Sequence, residues 1–179
     1  RAEIDGIAHS FETGLFGSYN IDNLRAAMAA GLFFGVTVKE IVDAVSSYRP
    51  SNNRSQVTET DRNTVIRDAC NANPSSMEKA IASFGRLNAG KKMVILGDML
   101  ELGTESVLGH AAVIRQLKGL GEIKAVLVGP RFREAAGDFP ASLFESSEAV
   151  AEWLKSESPA GYTILVKGSR GMMLEKIFP

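Results

Sequence analysis

Apolar residues along this chain fall into two kinds of block. Short runs rich in β-branched residues, at 65–68, 93–97, 125–128 and 163–167, predict buried strands, with a further short strand at 143–144. Stretches with apolar residues every three or four positions predict helices at 24–34, 38–48, 75–87, 105–118, 132–136, 147–155 and 172–178. Strands that alternate with helices of this length predict a Rossmann-like, doubly wound α/β fold with a mostly parallel sheet.

Two residue pairs indicate where helices begin. Thr37 is followed three residues later by Glu40, and Ser75 by Glu78, and each pair has the form of a capping box. Before the first of these helices, residues 1–20 are weakly patterned, and we expect one or two strands there.

A polar segment at residues 49–57 separates a mainly helical region from the alternating β/α region. It contains Pro50 and no apolar residue before Val57. We therefore place a domain boundary near residue 49, with residues 1–48 in one unit and residues 49–179 in the α/β domain.

Composition excludes several classes of protein. A net charge of -1 gives no electrostatic reason to expect nucleic acid or an anionic membrane as partner. One cysteine excludes an internal disulfide and fits a reducing compartment, so we expect a cytoplasmic protein. Two histidines make a zinc site improbable, and no apolar run approaches the roughly 20 residues of a membrane span. Because the chain starts at Arg1 rather than methionine, we expect its N-terminus to lie upstream.

Polar loop residues after the predicted strand at 65–68 are the first candidates for chemistry. Asp68, Asn71 and Asn73 are short polar residues between that strand and a helix. Ligands of open α/β sheets bind at the carboxyl ends of the strands. The same spacing also fits a well-capped strand-to-helix turn.

Three further loops carry groups that bind ligands in other proteins. Asn20 and Asn23 are three residues apart at a helix start, where two amides suit a purine edge or merely cap the helix. Arg54 could clamp a phosphate or be a solvated residue of a linker. The glycine-containing loop at 167–170, with a lysine and an arginine, suits an anion. His110 shares the apolar face of its helix, which indicates a packed histidine rather than a ligand.

Several common motifs are missing from the sequence. There is no G-x-x-x-x-G-K-[ST] phosphate loop, no G-x-G-x-x-G after a strand and no recognisable nucleophile motif. An α/β oxidoreductase is therefore disfavoured, and the chain is not a self-sufficient nucleotide enzyme.

Five stretches together resemble one family. They are YNIDN at 19–23, YRPSNNRSQ at 48–56, DACNANPSSM at 68–77, LGDMLELG at 96–103 and KGSR at 167–170. In this order they resemble the Mur ligases, ATP-dependent enzymes that form amide bonds in peptidoglycan synthesis. The resemblance is strongest to the type that adds D-alanyl-D-alanine to UDP-N-acetylmuramoyl-tripeptide.

The resemblance implies a three-domain enzyme of cell-wall biogenesis. Residues 1–48 would be the end of its central ATP-binding domain, and residues 49–179 its C-terminal domain. The phosphate loop, most Mg²⁺ ligands and the UDP site would lie upstream, so this chain alone would be inactive. In such enzymes ATP phosphorylates the tripeptide carboxylate, and the incoming amine attacks the acyl phosphate.

The resemblance also implies roles for individual residues. Asn20 and Asn23 match an asparagine pair near adenine, Arg54 an arginine near the ATP phosphates, and Asp68 an aspartate that contacts the nucleotide. We therefore expect Arg54 and Asp68 to act in catalysis. The residues that would face the incoming dipeptide are Asn71, Asn73, Pro74, Ser75, Lys167, Ser169 and Arg170.

One residue departs from the family pattern, and other functions stay open. The family usually has tyrosine where this chain has Cys70, so an aromatic platform is lost there. A non-catalytic module that binds a nucleotide or peptide is one alternative. A related ligase that adds another amino acid or glutamate, of the folylpolyglutamate type, is another.

Overall fold

The computed structural model describes residues 2–4 and 7–178. Its strands in chain order are β1 (Ala2–Ile4), β2 (Ile7–His9), β3 (Gln56–Glu59), β4 (Thr64–Arg67), β5 (Lys91–Gly97), β6 (Lys124–Val128), β7 (Ala141–Phe144) and β8 (Tyr162–Lys167). Its α-helices are α1 (Ile21–Phe33), α2 (Val38–Ser47), α3 (Pro74–Gly85), α4 (Ser106–Lys118), α5 (Pro130–Ala136) and α6 (Ser147–Glu157).

Six strands form the central sheet, in the order β3-β4-β8-β5-β6-β7. All neighbours in it are parallel except β3, which pairs antiparallel with β4. The predicted doubly wound, mostly parallel fold is therefore confirmed. The antiparallel edge strand β3 was missed, because its residues follow a polar segment and carry little apolar pattern.

The sheet is buried on both faces. Alternate residues of β5 point to opposite sides: Val94 and Leu96 pack in the cluster with α3, α4 and α5, while Met93 and Ile95 pack in the cluster with α6. This two-sided burial explains why the parallel strands read as continuous apolar runs.

The strand order sets where a ligand crevice can form. The chain moves outward from β4 through β5 and β6 to β7, and then returns to place β8 between β4 and β5. Since crossovers are right-handed, this reversal puts α6 on the face opposite α3, α4 and α5. The loop after β8 therefore leads to one face of the sheet, and the loops after its neighbours β4 and β5 lead to the other. Open sheets bind ligands in the crevice that forms at such a switch point.

Helix starts follow the expected signals in one case and not in the other. At α2 the predicted capping box is present: Glu40 N donates to Thr37 Oγ1 at 3.3 Å, and Thr37 N donates to Glu40 Oε2 at 3.0 Å. The box predicted at Ser75 is wrong. Asn73 caps α3 instead, with Ser76 as its partner, because Pro74 occupies the first helical position and has no N–H to satisfy.

The predicted closing helix at 172–178 is also wrong. Two short 3₁₀ turns, Arg170–Met172 and Leu174–Ile177, occupy this region. Met173 between them has a φ of 50°, a left-handed conformation that interrupts a right-handed helix. Leu174 and Ile177 are buried against the α6 side of the sheet.

The N-terminal residues contact the α/β domain through the segment at 15–20. β1 and β2 form an antiparallel pair, and α1 and α2 pack together through Met28 and Ile41. Phe16 is buried in the core on the α3 side, and Leu15 bridges to Gln56. The domain boundary near residue 49 stays a prediction. Within the described ranges, no helix combines the length and apolar composition required to cross a membrane.

Candidate functional site

Two predicted site residues form a buried ion pair at the carboxyl end of the sheet. Asp68 follows β4 and Lys167 ends β8, the adjacent strand. Lys167 Nζ lies 2.8 Å from Asp68 Oδ2 and also donates to the carbonyl of Asn71 at 3.1 Å. Lys167 is 2% exposed and Asp68 9%, so each charge depends on the other for compensation.

The Asp68 carboxylate has two further partners, neither of which was expected. Ser55 N donates to Oδ1 at 3.2 Å, and the Tyr19 hydroxyl donates to Oδ2 at 3.2 Å. Burial, and then the charge of Asp68, raise the pKa of Tyr19, so that hydroxyl stays a donor. Tyr19 and Ser55 both lie inside stretches that resemble the Mur ligases, and this is the signal that could have found them.

The asparagine pair meets this network. Asn20 Nδ2 donates to the carbonyl of Phe16 at 2.7 Å and to Ser55 Oγ at 2.9 Å. Asn23 Nδ2 donates to Asn20 Oδ1 at 3.2 Å. Although Asn20 precedes α1, its side chain makes no capping bond. Asn20 is therefore held within the protein, whereas Asn23 is exposed to solvent.

Arg54 lies close to Asp68, on the turn before β3. Its side chain is exposed and neighbours the thiol of Cys70. The pKa of Arg54 is raised, first by its interaction with Cys70 and to a smaller extent by the charge of Asp68. The turn is attached to the end of β4, because Ala69 N donates to the carbonyl of Asn53 at 2.9 Å.

In the loop at 71–75 every residue except Ala72 is exposed, and two of its side chains make internal hydrogen bonds. Asn71 Oδ1 accepts from Ala72 N at 2.8 Å, and Asn73 Oδ1 accepts from Ser76 N at 2.9 Å to cap α3. Pro74 and Ser75 are exposed at the helix start. Capping thus accounts for Asn73 in this structure.

The loop at 167–170 is attached to the loop after β5. Ser169 Oγ accepts from Leu100 N at 2.9 Å, and Ser169 N donates to the carbonyl of Asp98 at 3.2 Å. A Cβ at Gly168 would lie 3.0 Å from the backbone of Gly97, so the two loops approach too closely for a side chain. Arg170 is exposed at the end of this loop.

His110 is a packed histidine, as predicted. It is fully buried, its Nδ1 lies 2.7 Å from the carbonyl of Ser106, and its Nε2 accepts from Met99 N at 3.1 Å. A ring nitrogen that accepts from a backbone N–H carries no proton, so the ring is neutral. Its 3.7 Å approach to Asp98 is therefore not an ion pair.

Asp98 instead holds the start of α5. Its carboxylate accepts from Arg131 N at 3.0 Å and from Phe132 N at 2.9 Å, both in the first turn of that helix. The acceptors of Asp98 thus satisfy N–H groups that have no partner inside the helix. Across residues 2–4 and 7–178, no three His, Cys, Asp or Glu side chains group in a way that could hold a metal ion.

All five stretches of the resemblance thus meet at one edge of the sheet. Asp68 contacts residues 13, 49 and 99 positions away in sequence, namely Ser55, Tyr19 and Lys167. A family model described as "Mur ligase, glutamate ligase domain" matches residues 53–170. The chain belongs to the Mur ligase family.

Named relatives and solved structures agree with this membership. The chain is 34% identical to a UDP-N-acetylmuramoyl-tripeptide--D-alanyl-D-alanine ligase of Bacillus subtilis, over 97% of this chain and 40% of the relative. A relative of the same name from Treponema pallidum is 32% identical over 91% of this chain and 37% of its own length. The chain thus spans about 40% of the length of the first of these relatives.

The solved structures share the fold. A crystal structure of MurF from Acinetobacter baumannii superposes with a TM-score of 0.77 at 29% identity, over 90% of this chain and 37% of that chain. A MurF ligase from Thermotoga maritima in complex with ADP gives a TM-score of 0.76 at 23% identity, over 91% of this chain and 38% of that chain. At 23% identity, the similarity to the Thermotoga maritima structure concerns the fold alone.

Proposed function

We propose that this chain belongs to an ATP-dependent ligase that joins D-alanyl-D-alanine to UDP-N-acetylmuramoyl-tripeptide for peptidoglycan synthesis. The observation that carries the proposal is the convergence of five separated stretches on Asp68 and the loop beside it. The relatives named for this reaction supply the choice of substrates.

The polar groups at this edge have the chemistry that such a reaction needs. Arg54 is an exposed cation that would offset charge developing on the γ-phosphoryl group of ATP. Asp68 accepts three hydrogen bonds from the protein, and its remaining acceptor position would take a ribose hydroxyl. Asn23 would meet the adenine edge, with Asn20 holding it in place.

The dipeptide would lie on the other side of Asp68. Arg170 is the exposed cation of the 167–170 loop and would pair with the dipeptide carboxylate, while Lys167 is paired with Asp68. Asn71, Pro74 and Ser75 are exposed on the facing loop. The chain would thus contribute the acceptor side of the site and part of the nucleotide side.

ATP supplies the phosphoryl group that activates the tripeptide carboxylate. The dipeptide amine then attacks the acyl carbon, phosphate leaves, and the amine loses a proton as the amide forms. Mg²⁺ would be bound mainly by other parts of the full-length protein, since the described residues hold no cluster of suitable ligands. We further propose that residues 1–48 belong to the ATP-binding domain, and that the protein is cytoplasmic.

The test is an assay of the full-length protein with UDP-N-acetylmuramoyl-tripeptide and ATP. D-Alanyl-D-alanine should be joined to the tripeptide with one ATP consumed per amide, as measured by mass spectrometry and phosphate release. Joining of diaminopimelate, lysine or glutamate instead would indicate a related ligase. Binding without any new amide would indicate a non-catalytic module. The chain 1–179 alone should form no amide.

A further inference from the structure

We propose that Ser55 is the positioning residue that holds Arg54 in place for phosphoryl transfer. The inference rests on the proposed function, because it assumes that Arg54 faces the ATP phosphates. Ser55 itself is 3% exposed and lies between Arg54 and β3, which leaves it no direct access to a ligand. Its effect would therefore be exerted through its neighbour.

Every polar group of Ser55 is bonded to a residue of the site or to Phe16, in the segment before α1. Its N–H donates to Asp68 Oδ1 at 3.2 Å, and its carbonyl accepts from Phe16 N at 3.2 Å. Its hydroxyl oxygen accepts from Asn20 Nδ2 at 2.9 Å and lies 3.3 Å from the Tyr19 hydroxyl. A buried serine with all its groups satisfied has one well-defined position.

The donors and acceptors define a direction along this chain of bonds. The Tyr19 hydroxyl must donate to Asp68, because an ionised carboxylate can only accept. The Ser55 hydroxyl must then donate to the Tyr19 oxygen, and its own oxygen accepts from Asn20. A single connected series of hydrogen bonds thus runs from Asn20 through Ser55 and Tyr19 to Asp68. These four side chains therefore fix one another's positions.

The backbone around Arg54 shows why such support is needed. Asn53 has a φ of 57° and Ser55 a φ of 51°, so two left-handed residues that are not glycine flank Arg54. Left-handed conformations are unfavourable for residues with a Cβ, and persist where surrounding contacts impose them. Here the contacts are Ala69 N to the Asn53 carbonyl at 2.9 Å and Ser55 N to Asp68 at 3.2 Å.

These observations together explain how Arg54 can have an exposed side chain and still have a defined backbone position. Its side chain is in solvent, but the residues on either side of it are fixed to Asp68 and Ala69 at the end of β4. Loss of the Ser55 hydroxyl would release the hydrogen bonds from Asn20 and to Tyr19. The backbone bonds from Ser55 N to Asp68 and from Ala69 N to Asn53 would remain, but Ser55 and Tyr19 would lose their side-chain support, so Arg54 beside Ser55 would be placed less precisely. Transfer of a phosphoryl group is sensitive to such small misplacements.

The experiment is a double-mutant cycle in the full-length enzyme, with Ser55→Ala, Arg54→Ala and the double variant. Ser55→Ala should lower kcat about tenfold while the KM for ATP changes less than about threefold, since a positioning bond matters most in the transition state. In the Arg54→Ala background, the same change should have less than about a twofold effect. Ser51→Ala, an exposed serine of the same turn, is the matched control and should leave kcat unchanged.

Ser55→Gly separates positioning from folding. Glycine tolerates the left-handed φ of this position, so this variant should unfold at no lower a temperature than Ser55→Ala and lose turnover to the same extent. Normal turnover of both Ser55 variants beside an impaired Arg54→Ala would overturn the inference, as would additive effects in the cycle. Normal turnover of Arg54→Ala would instead remove Arg54 from the proposed mechanism.

Discussion

Lys167 Nζ lies 2.8 Å from Asp68 Oδ2, although the two residues are 99 positions apart in sequence. This buried pair joins the carboxyl ends of two adjacent strands, β8 and β4. The pair changes how the two residues are interpreted. Asp68 was expected to contact the nucleotide and Lys167 to face the incoming dipeptide, but in the folded protein the two charges are paired with each other. Arg54 and Arg170 are the exposed cations on the neighbouring loops.

Removal of Lys167 should be strongly destabilising. Lys167→Met would leave the Asp68 carboxylate buried without its counter-charge, which typically costs about 3–5 kcal/mol. Urea unfolding followed by circular dichroism measures the loss. Lys155→Met is the matched control: Lys155 pairs with Glu152 at 2.7 Å, but both are 73% exposed, so about 0–1 kcal/mol is expected. Equal losses in the two variants would mean that the Lys167 pair is not specially dependent on burial.

Substitution of Arg54 should reduce turnover far more than substrate binding. Arg54→Ala in the full-length enzyme should lower kcat by about 10²-fold, because a cation that acts on charge developing in the transition state is lost. Arg54→Lys should recover only part of this rate, since lysine lacks the planar fork of donors. Arg115→Ala, an exposed arginine of α4, serves as the control in the same steady-state assay. Full activity of Arg54→Ala would contradict a role in phosphoryl transfer.

Arg170 should determine affinity for the dipeptide. Arg170→Ala should raise the KM for D-alanyl-D-alanine by at least about tenfold, because a charge-assisted hydrogen bond to a carboxylate contributes about 1.5–3 kcal/mol. The KM for ATP should change little. The dipeptide amide, which lacks the terminal charge, should bind wild type and variant equally. A variant that discriminates between acid and amide as wild type does would show that another group binds the carboxylate.

The cap observed at the start of α3 leads to a different prediction from the cap that the sequence suggested. Asn73→Ala should lower stability by about 0.5–2 kcal/mol, since it removes the acceptor for Ser76 N. Ser75→Ala, at the position where the sequence predicted the cap, should change stability by less than about 0.5 kcal/mol, because Ser75 is exposed. Denaturant midpoints of the two variants measure the difference, and the reverse order would support the sequence-based assignment.

The contact between α6 and the C-terminal segment should depend on pH. The bond from Lys176 Nζ, at 3.0 Å, is the main cause that lowers the pKa of Glu148 from 4.5 to about 2. A carboxyl group whose pKa is lower in the folded state contributes stability above its unfolded pKa. That contribution is lost as the pH falls from about 4.5 towards 2.

The corresponding variant is Glu148→Gln. Its thermal unfolding temperature should be below that of wild type at pH 7, and the gap should narrow as the pH falls to 3. Glu152→Gln, which removes a carboxyl group paired only within α6, is the comparison. A gap that stays constant from pH 7 to pH 3 would show that the carboxylate charge is not the stabilising feature.

Much of the fold was predictable because its signals are local. The strand at Lys91–Gly97 and the helix at Ser106–Lys118 follow directly from apolar runs and helical spacing. The capping box of Thr37 and Glu40 needs only four residues. Where neighbouring signals compete, the local pattern failed: Pro74 moved the cap from Ser75 to Asn73.

The site could be predicted in part. The motif residues were found because each lies in a recognisable stretch, and the strand pattern placed Asp68, Asn71 and Asn73 after the carboxyl end of a strand, where open sheets bind ligands. Tyr19 and Ser55 were missed as partners of Asp68, since hydrogen bonds between residues 49 and 13 positions apart leave no periodic signal in a sequence.

The sequence by itself determined the alternating α/β architecture, the family and the set of polar loop residues, because these depend on local propensity and on motifs read one stretch at a time. Only the tertiary structure decided which of those residues bond to one another. It paired Lys167 with Asp68, placed Ser55 between Asn20 and Asp68, and left Arg54 and Arg170 exposed. Such pairings depend on strand order and on the depth of burial, which arise when distant segments pack together.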